Sequence, residues 1–292
     1  MATRTGGFPI GFRRRGSDWQ KRDLGALAQW AKEQGFDSID LERVTAEDAR
    51  TLEAAGLRLG SVDLDTSGLL DNDPGRRRES VQRAISEVSQ AAQVGAKAFF
   101  LCIIPDAALP RAESYARAVE SYAPIAAALE RAGASLAIEG YPGRSPQLPA
   151  LCCTPETCRR FFQDIGGQGV GLNYDPSHLI RLGVDHIRFL NEFAPYVRHV
   201  HAKDTEILSE AVYEYGLYQP AIFAKPHGWG EFVWRYTLPG HGCARWTEIL
   251  RILQASGFGG IVSVELEDEN FNGSEEGEKA GLLHSLHFLR GV

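Results

Sequence analysis

The stretch VGLNYDPSHLIRLGVDHIRFLNEFAPYVRHVHAK, residues 170–203, holds one unit of the expected fold from end to end. Residues 170–175 are a short, mostly apolar run ending in Asp175, and residues 185–193 carry the apolar spacing of a helix. Residues 197–203 return to a period of two, which puts His199, His201 and Lys203 on one face of a strand. Strand, helix and strand in that order make a parallel pair, because the helix supplies the crossover that a parallel connection needs.

The same alternation continues outward in both directions. Strands are expected at residues 8–13, 38–42, 57–65, 97–104, 135–139, 170–175, 197–203 and 260–267. Helices are expected at 19–34, 46–55, 78–93, 111–131, 155–165, 185–193, 245–255 and 279–290, with Gly35 as a C-cap and Thr154 as an N-cap. Pro124 should kink or shorten the helix at 111–131. Eight strand–helix units close into a (β/α)8 TIM barrel, which takes about 250 residues. The chain has 292, and the surplus lies after strand seven, at residues 205–241. The expectation is therefore one α/β domain over residues 1–292, a single (β/α)8 TIM barrel with a long insertion after strand seven. A doubly wound sheet is disfavoured, since no Gly-x-Gly-x-x-Gly turn follows the first strand.

Composition narrows the function classes. Hydrophobic residues at 43% and charged residues at 24% describe a folded globular chain. Thirty-one Lys and Arg against 38 Asp and Glu give a net charge of −7, which argues against nucleic acid and against an anionic membrane surface. The 5 cysteines lack zinc-knuckle spacing, and no signal peptide or membrane span is visible, so a reduced cytoplasmic protein is expected.

A barrel predicts that chemistry lies at the C-terminal ends of its strands. Strand five ends LAIEG with Glu139, strand six ends LNYDPSH with Asp175 and His178, and strand seven reads VRHVHAKD with His201 and Lys203. Strand eight reads VSVELED, with Glu265 and Glu267 on one face. Any one of these acids alone would pass as a helix cap or loop anchor. Together they bring three carboxylates and an imidazole to one rim, a grouping that costs several kcal/mol per buried ion without a counterion. Glu139, Asp175, His201 and Glu265 are thus candidate ligands of one divalent metal ion. The oxygen-rich set favours Mn2+ or Mg2+ and also admits Co2+ or Zn2+. His199 is expected deeper in the barrel, in a structural hydrogen bond.

GFDSIDLE (35–42), IEG (138–140), NYDPSHL (173–179), HVHAKD (199–204), PGHG (239–242) and FGGIVSVELED (258–268) occur in the order found in one family. The chain resembles the sugar phosphate isomerase/epimerase family, the xylose isomerase-like TIM barrels that include ketose 3-epimerases, inosose dehydratases and endonuclease IV. The resemblance implies the same four metal ligands, a substrate contact from His178, a site lysine at Lys203, and an acidic strand-two position at Glu42.

The arrangement suits proton transfer at a carbon beside a carbonyl, through a metal-stabilised enediolate. Glu139 and Glu265, on well-separated strands, are the expected base and acid. The expected activity is a metal-dependent isomerase or epimerase of a sugar or keto-sugar. The nearest alternative is a lyase or dehydratase acting on a keto-inositol or keto-glycoside, and the second is a non-catalytic sugar-binding barrel. An endonuclease IV activity would need a three-zinc cluster and a basic face, which 8 histidines and a charge of −7 do not suggest. The aromatic insertion 205–241 is expected to be an active-site lid, or else the interface of a homodimer. Arg235 within it and Glu267 on strand eight are further candidates for substrate binding.

Overall fold

The computed structural model describes residues 2–15, 17–143 and 150–292. Among the described residues ten strands occur: β1 (Ile10–Arg13), β2 (Ser38–Leu41), β3 (Arg58–Asp63), β4 (Ala98–Cys102), β5 (Ser135–Glu139), β6 (Leu172–Tyr174), β7 (Val197–Ala202), β8 (Asp204–Ile207), β9 (Trp234–Thr237) and β10 (Val262–Val264). Eight of them form a closed barrel in the order β1-β10-β7-β6-β5-β4-β3-β2, all parallel, while β8 and β9 pair separately and antiparallel. The expected TIM barrel is therefore the fold, and β10 is its eighth strand.

Alternation along each strand sorts the side chains into two environments. Ile10, Phe12, Ile39, Leu101, Ile138, Val200 and Val264 belong to one buried cluster with helix residues such as Leu27, Leu129 and Leu250. The apolar core thus lies between the barrel and its helical ring. The alternate residues carry Ser38, Asp40, Asp63, Glu139, Asn173, His199, His201 and Ser263. A barrel interior is usually filled by branched apolar side chains, so a polar lining here marks a functional cavity. Gly11 fits its base because a Cβ there would lie 2.0 Å from Ser38 Oγ and 2.9 Å from Ser263 Oγ.

Several local expectations change. The first helix divides at Asp23 into Asp18–Arg22 and Leu24–Gln34, since the Asp23 side chain accepts from the Ala26 N–H and starts a new helix. Gly35 ends it in the left-handed region, at φ 91°. The helix Arg111–Arg131 runs unbroken through Pro124. A mid-helix proline costs about 3 kcal/mol, and the buried Tyr122, Ile125, Ala126 and Leu129 flanking it bury enough apolar surface to offset that. Thr154 stands at the N-cap of Pro155–Ile165 without a side-chain capping bond. A helix at Pro176–Arg181 was not expected; Asp175 caps it through Ser177 N–H and Pro176 occupies its first turn.

The insertion is an ordered hairpin with a helix, Ser209–Tyr215, between its strands. Buried Asp204 fixes both ends by accepting from the backbone N–H groups of Thr205, Gly240 and Ala244 and from Trp246 Nε1. No described helix is long and apolar enough to cross a membrane.

Candidate active site

Glu139 ends β5, Asp175 follows β6, His201 lies near the end of β7, and Glu265 follows β10. All four are buried, and one donor atom from each lies within 4.8 Å of the others. His201 Nδ1 is 2.8 Å from Glu139 Oε2 and 3.5 Å from Glu265 Oε2, so this nitrogen faces the carboxylates. Asp175 Oδ2 is buried and makes no hydrogen bond among the described residues. This oxygen, with Lys203 Nζ at 3.2 Å and His178 Nε2 at 3.3 Å as its nearest cationic or donor groups, lies beside two more carboxylates and an imidazole, a donor set that fits a divalent cation.

The two glutamates have different surroundings. Glu139 accepts from Asn173 Nδ2 at 2.7 Å and lies 3.2 Å from His178 Nε2. Burial and the Glu265 charge push its carboxyl up, but His201 and His178 outweigh them and hold it well below the usual carboxylate range. Glu265 is set among cations, with Lys203 Nζ at 2.5 Å, Arg15 Nη1 at 3.3 Å and Arg13 Nε at 3.4 Å. Its carboxyl is likewise held low, burial being outweighed first by Lys203 and then by His201.

Lys203 is 1% exposed and contacts Asp175 Oδ2 at 3.2 Å and Glu267 Oε2 at 3.1 Å as well as Glu265. Burial alone would lower its ammonium, but Asp175, Glu265 and Glu267 raise it well above the ordinary lysine value. Glu267 thus acquires a definite partner, shared with Arg15 at 3.1 Å. His178 bridges two parts of the site, with Nδ1 2.7 Å from the Tyr236 hydroxyl and Nε2 facing Glu139 and Asp175. Burial raises the Tyr236 phenol far above its usual range, so it stays protonated and donates to Nδ1. His178 then carries its proton on Nε2.

Above the cluster opens a cavity of about 520 Å³, lined by the two glutamates, Glu42, Glu267, His178, Lys203, Arg13 and Arg15, with Tyr141, Trp229, Trp234 and Tyr236 as aromatic walls. The insertion therefore supplies three of its rings. Of its other aromatic residues, Tyr213, Tyr218 and Phe223 are exposed and take no part in the wall. Arg235 does not line the cavity: between Trp234 and Tyr236 on β9 it faces away, donating to Glu206 at 2.8 Å and approaching Glu269 at 3.6 Å. The period of two along a strand explains why its neighbours enter and it does not.

Sequence reasoning missed Arg13, Arg15 and Asp63, and it counted Tyr236 among the insertion aromatics without foreseeing its bond to His178. Arg13 grips Asp63 with two bonds of 2.8 Å and lies 4.3 Å over the Phe100 ring, at the barrel wall beside Glu265. The signal was present, since IGFRRR places arginines at the C-terminal end of β1.

One layer deeper, His199 Nε2 is 2.9 Å from Asp40 Oδ2, and His201 Nε2 is 3.7 Å from the same oxygen. Burial raises the Asp40 carboxyl, but His199 and His201 together hold it far below its ordinary value. A folded-state value below the unfolded one gives stability that is complete above the unfolded pKa of about 3.9 and lost as the pH falls below it. Asp40→Asn should therefore melt below the wild type at neutral pH by an amount on the order of 2 kcal/mol. Thermal melts should show a constant gap above about pH 5 that narrows steadily as the pH falls from there toward about pH 2, where acid stability permits the measurement; a gap that does not narrow below about pH 4 would contradict the assignment.

The chain matches the family of xylose isomerase-like TIM barrels over residues 28–292 and belongs to it. Among curated proteins it is 34% identical over 142 residues to the uncharacterised protein YfiH of Bacillus subtilis, a match covering 48% of this chain and 42% of that one. It is 31% identical over 118 residues to an inosose dehydratase of Geobacillus thermodenitrificans, covering 40% and 37% of the two chains. The matched stretch spans less than half the length of either relative. In architecture the chain is similar to the 3-keto-D-glucoside 4-epimerase YcjR of E. coli, with a TM-score of 0.66, 16% identity, and coverage of 97% of this chain and 99% of that one.

Proposed function

We propose that the protein is a divalent-metal-dependent keto-sugar epimerase or isomerase working by proton transfer beside a carbonyl. The observation that carries this reading is the convergence of Glu139, Asp175, His201 and Glu265 within 4.8 Å of one another, with Glu139 and Glu265 lining an aromatic-walled cavity. These four residues would hold the ion, Mn2+ or Mg2+ by the hardness of the donor set. When bound, the ion supplies Lewis-acid polarisation of the substrate carbonyl. Glu139, kept ionised, accepts the proton from the adjacent carbon, and Glu265 from across the barrel handles the proton on the opposite face. His178, held by Tyr236 with its proton on Nε2, donates a hydrogen bond to a substrate oxygen. Trp229, Trp234 and Tyr236 cover the sugar, which makes the insertion 205–241 an active-site lid.

The inosose dehydratase relative favours a second reading, since loss of a β-hydroxyl begins with the same proton abstraction. Proton NMR in D2O separates the two. With 3-keto-D-glucose, D-psicose and an inosose as a panel, the epimerase reading expects deuterium beside the carbonyl with no dehydrated product. Chelation should remove the exchange by at least two orders of magnitude and added Mn2+ should restore it, since both the polarisation and the proton transfer then fail. Exchange that survives chelation overturns the metal requirement, and a dehydrated product establishes the second reading.

A further inference from the structure

The insertion has two faces. Toward the barrel it supplies Trp229, Trp234 and Tyr236 to the cavity wall. Its outer part holds five of the six exposed large apolar side chains among the described residues, Tyr213, Leu217, Tyr218, Ile222 and Phe223. Tyr213 is 87% exposed, Ile222 86% and Phe223 100%, so they gain almost no cover from their own chain. The helix Ser209–Tyr215, which carries the first of them, buries no residue. Seven residues do not hold a helix by propensity, since isolated helices shorter than about 12–15 residues are marginal in water. Helices of this length are stabilised by packing an apolar side on a neighbour, and within the single chain that neighbour is missing.

Size and charge say what the neighbour is. At about 150–250 Å² for an aromatic side chain, the five residues present roughly 700 Å² of apolar surface. The largest apolar patch of a typical monomer is about 300–600 Å², whereas one side of a standard interface between proteins covers about 800 Å². The patch thus has the area that one protomer contributes to a stable pair. Exposed Glu210 and Glu214 precede it in the chain and exposed Lys225 follows it, and none of the three has an ionic partner among the described residues. In a two-fold interface residue i of one copy meets residue j of the other and the reverse, so one stretch with an acidic start and a basic end complements itself. A lipid surface would call for a basic rim in place of two glutamates.

We propose that the outer face of the insertion is a homodimer interface, packed two-fold against the same face of a second copy of this chain. Burying Tyr218, Ile222 and Phe223 fixes the segment between β8 and β9, and β9 is the strand that sends Trp234 and Tyr236 into the cavity. The second copy therefore braces the aromatic wall from behind. The inference holds whatever reaction the site performs.

Sedimentation velocity of the full chain at micromolar concentration tests it, and the wild type should run at twice the 32.1 kDa of one chain. Phe223→Asp and Tyr218→Asp each place a carboxylate in the contact and should raise the dimer Kd by about thirtyfold or more, the loss expected of a central aromatic. Both side chains are exposed in the single chain, so the variants should keep the wild-type circular dichroism. Lys225→Glu should weaken the dimer severalfold, and adding Glu210→Lys and Glu214→Lys should restore it. Amide hydrogen exchange over residues 209–225 should be slower in the wild type than in the Phe223→Asp monomer. A wild type that stays monomeric overturns the proposal, including one that instead sediments with phosphatidylcholine–phosphatidylserine vesicles. So does an open-ended series of larger masses, which a closed two-fold pair does not form. A dimer that survives both aspartate variants, with unchanged exchange at residues 209–225, places the contact elsewhere and overturns it equally.

Discussion

Replacing Glu139 with glutamine should abolish solvent proton exchange at the substrate carbon, lowering its rate by about 10²–10⁴-fold or more. The substitution keeps the shape of the side chain and an oxygen that accepts from Asn173, at present 2.7 Å away. What it removes is the ability to take a proton. Glu139 is suited to that task because His201 and His178 hold it ionised against burial and against the neighbouring Glu265 charge. Its position at the wall shared with Tyr141, Trp234 and Tyr236 brings it within the cavity rather than beneath it. Exchange into a keto-sugar followed by NMR in D2O gives the rate, and the metal content of the same sample separates a lost base from a lost ligand. A variant that retains its ion and still exchanges within tenfold of the wild-type rate would show that another group is the base.

The strands and the four clustered residues were legible in the sequence because both follow from short-range rules. An apolar run fixes a strand, a period of two fixes which residues share its face, and the C-terminal end fixes which of them reach the mouth. Glu139, Asp175, His201 and Glu265 all obey that logic, and so does Arg13, to which the same reasoning about strand ends applies. Other parts depend on distant partners. Tyr236 enters the site because Asp204 pins the two ends of the insertion together, so a residue far along the chain meets His178 at 2.7 Å. Arg235 looked like a substrate group from its charge and its aromatic neighbours, and only the register of β8 against β9 turns it toward Glu206. The helix Pro176–Arg181 was concealed by a sequence, DPSH, that also reads as a turn. Pro124 shows the reverse, a local rule outweighed by the packing of a long helix on the barrel.

Lys203→Met should be among the most destabilising single substitutions in the barrel. The ammonium is the common partner of Asp175, Glu265 and Glu267, and removing it leaves three buried carboxylates facing one another. Breaking a buried ion pair in this way costs about 3–5 kcal/mol. At roughly 2–4 °C per kcal/mol for a chain of this size, the melting temperature should fall by on the order of ten degrees. Methionine conserves the volume of the aliphatic stem, so the loss reports charge rather than packing. The deficit should depend on the divalent ion. Two of the three carboxylates that Lys203 neutralises, Asp175 and Glu265, belong to the candidate ligand set. An ion held there compensates their charge in the variant, and binding to the folded chain alone adds about 2.7 kcal/mol at a hundredfold excess over Kd. Thermal melts of wild type and variant, each with chelator and with Mn2+, should therefore show a gap that narrows when the metal is present. A variant that melts with the wild type under chelation would mean that Lys203 is not the counterion of this cluster. A gap of equal size with and without metal would mean that the ammonium and the ion do not share the same carboxylates.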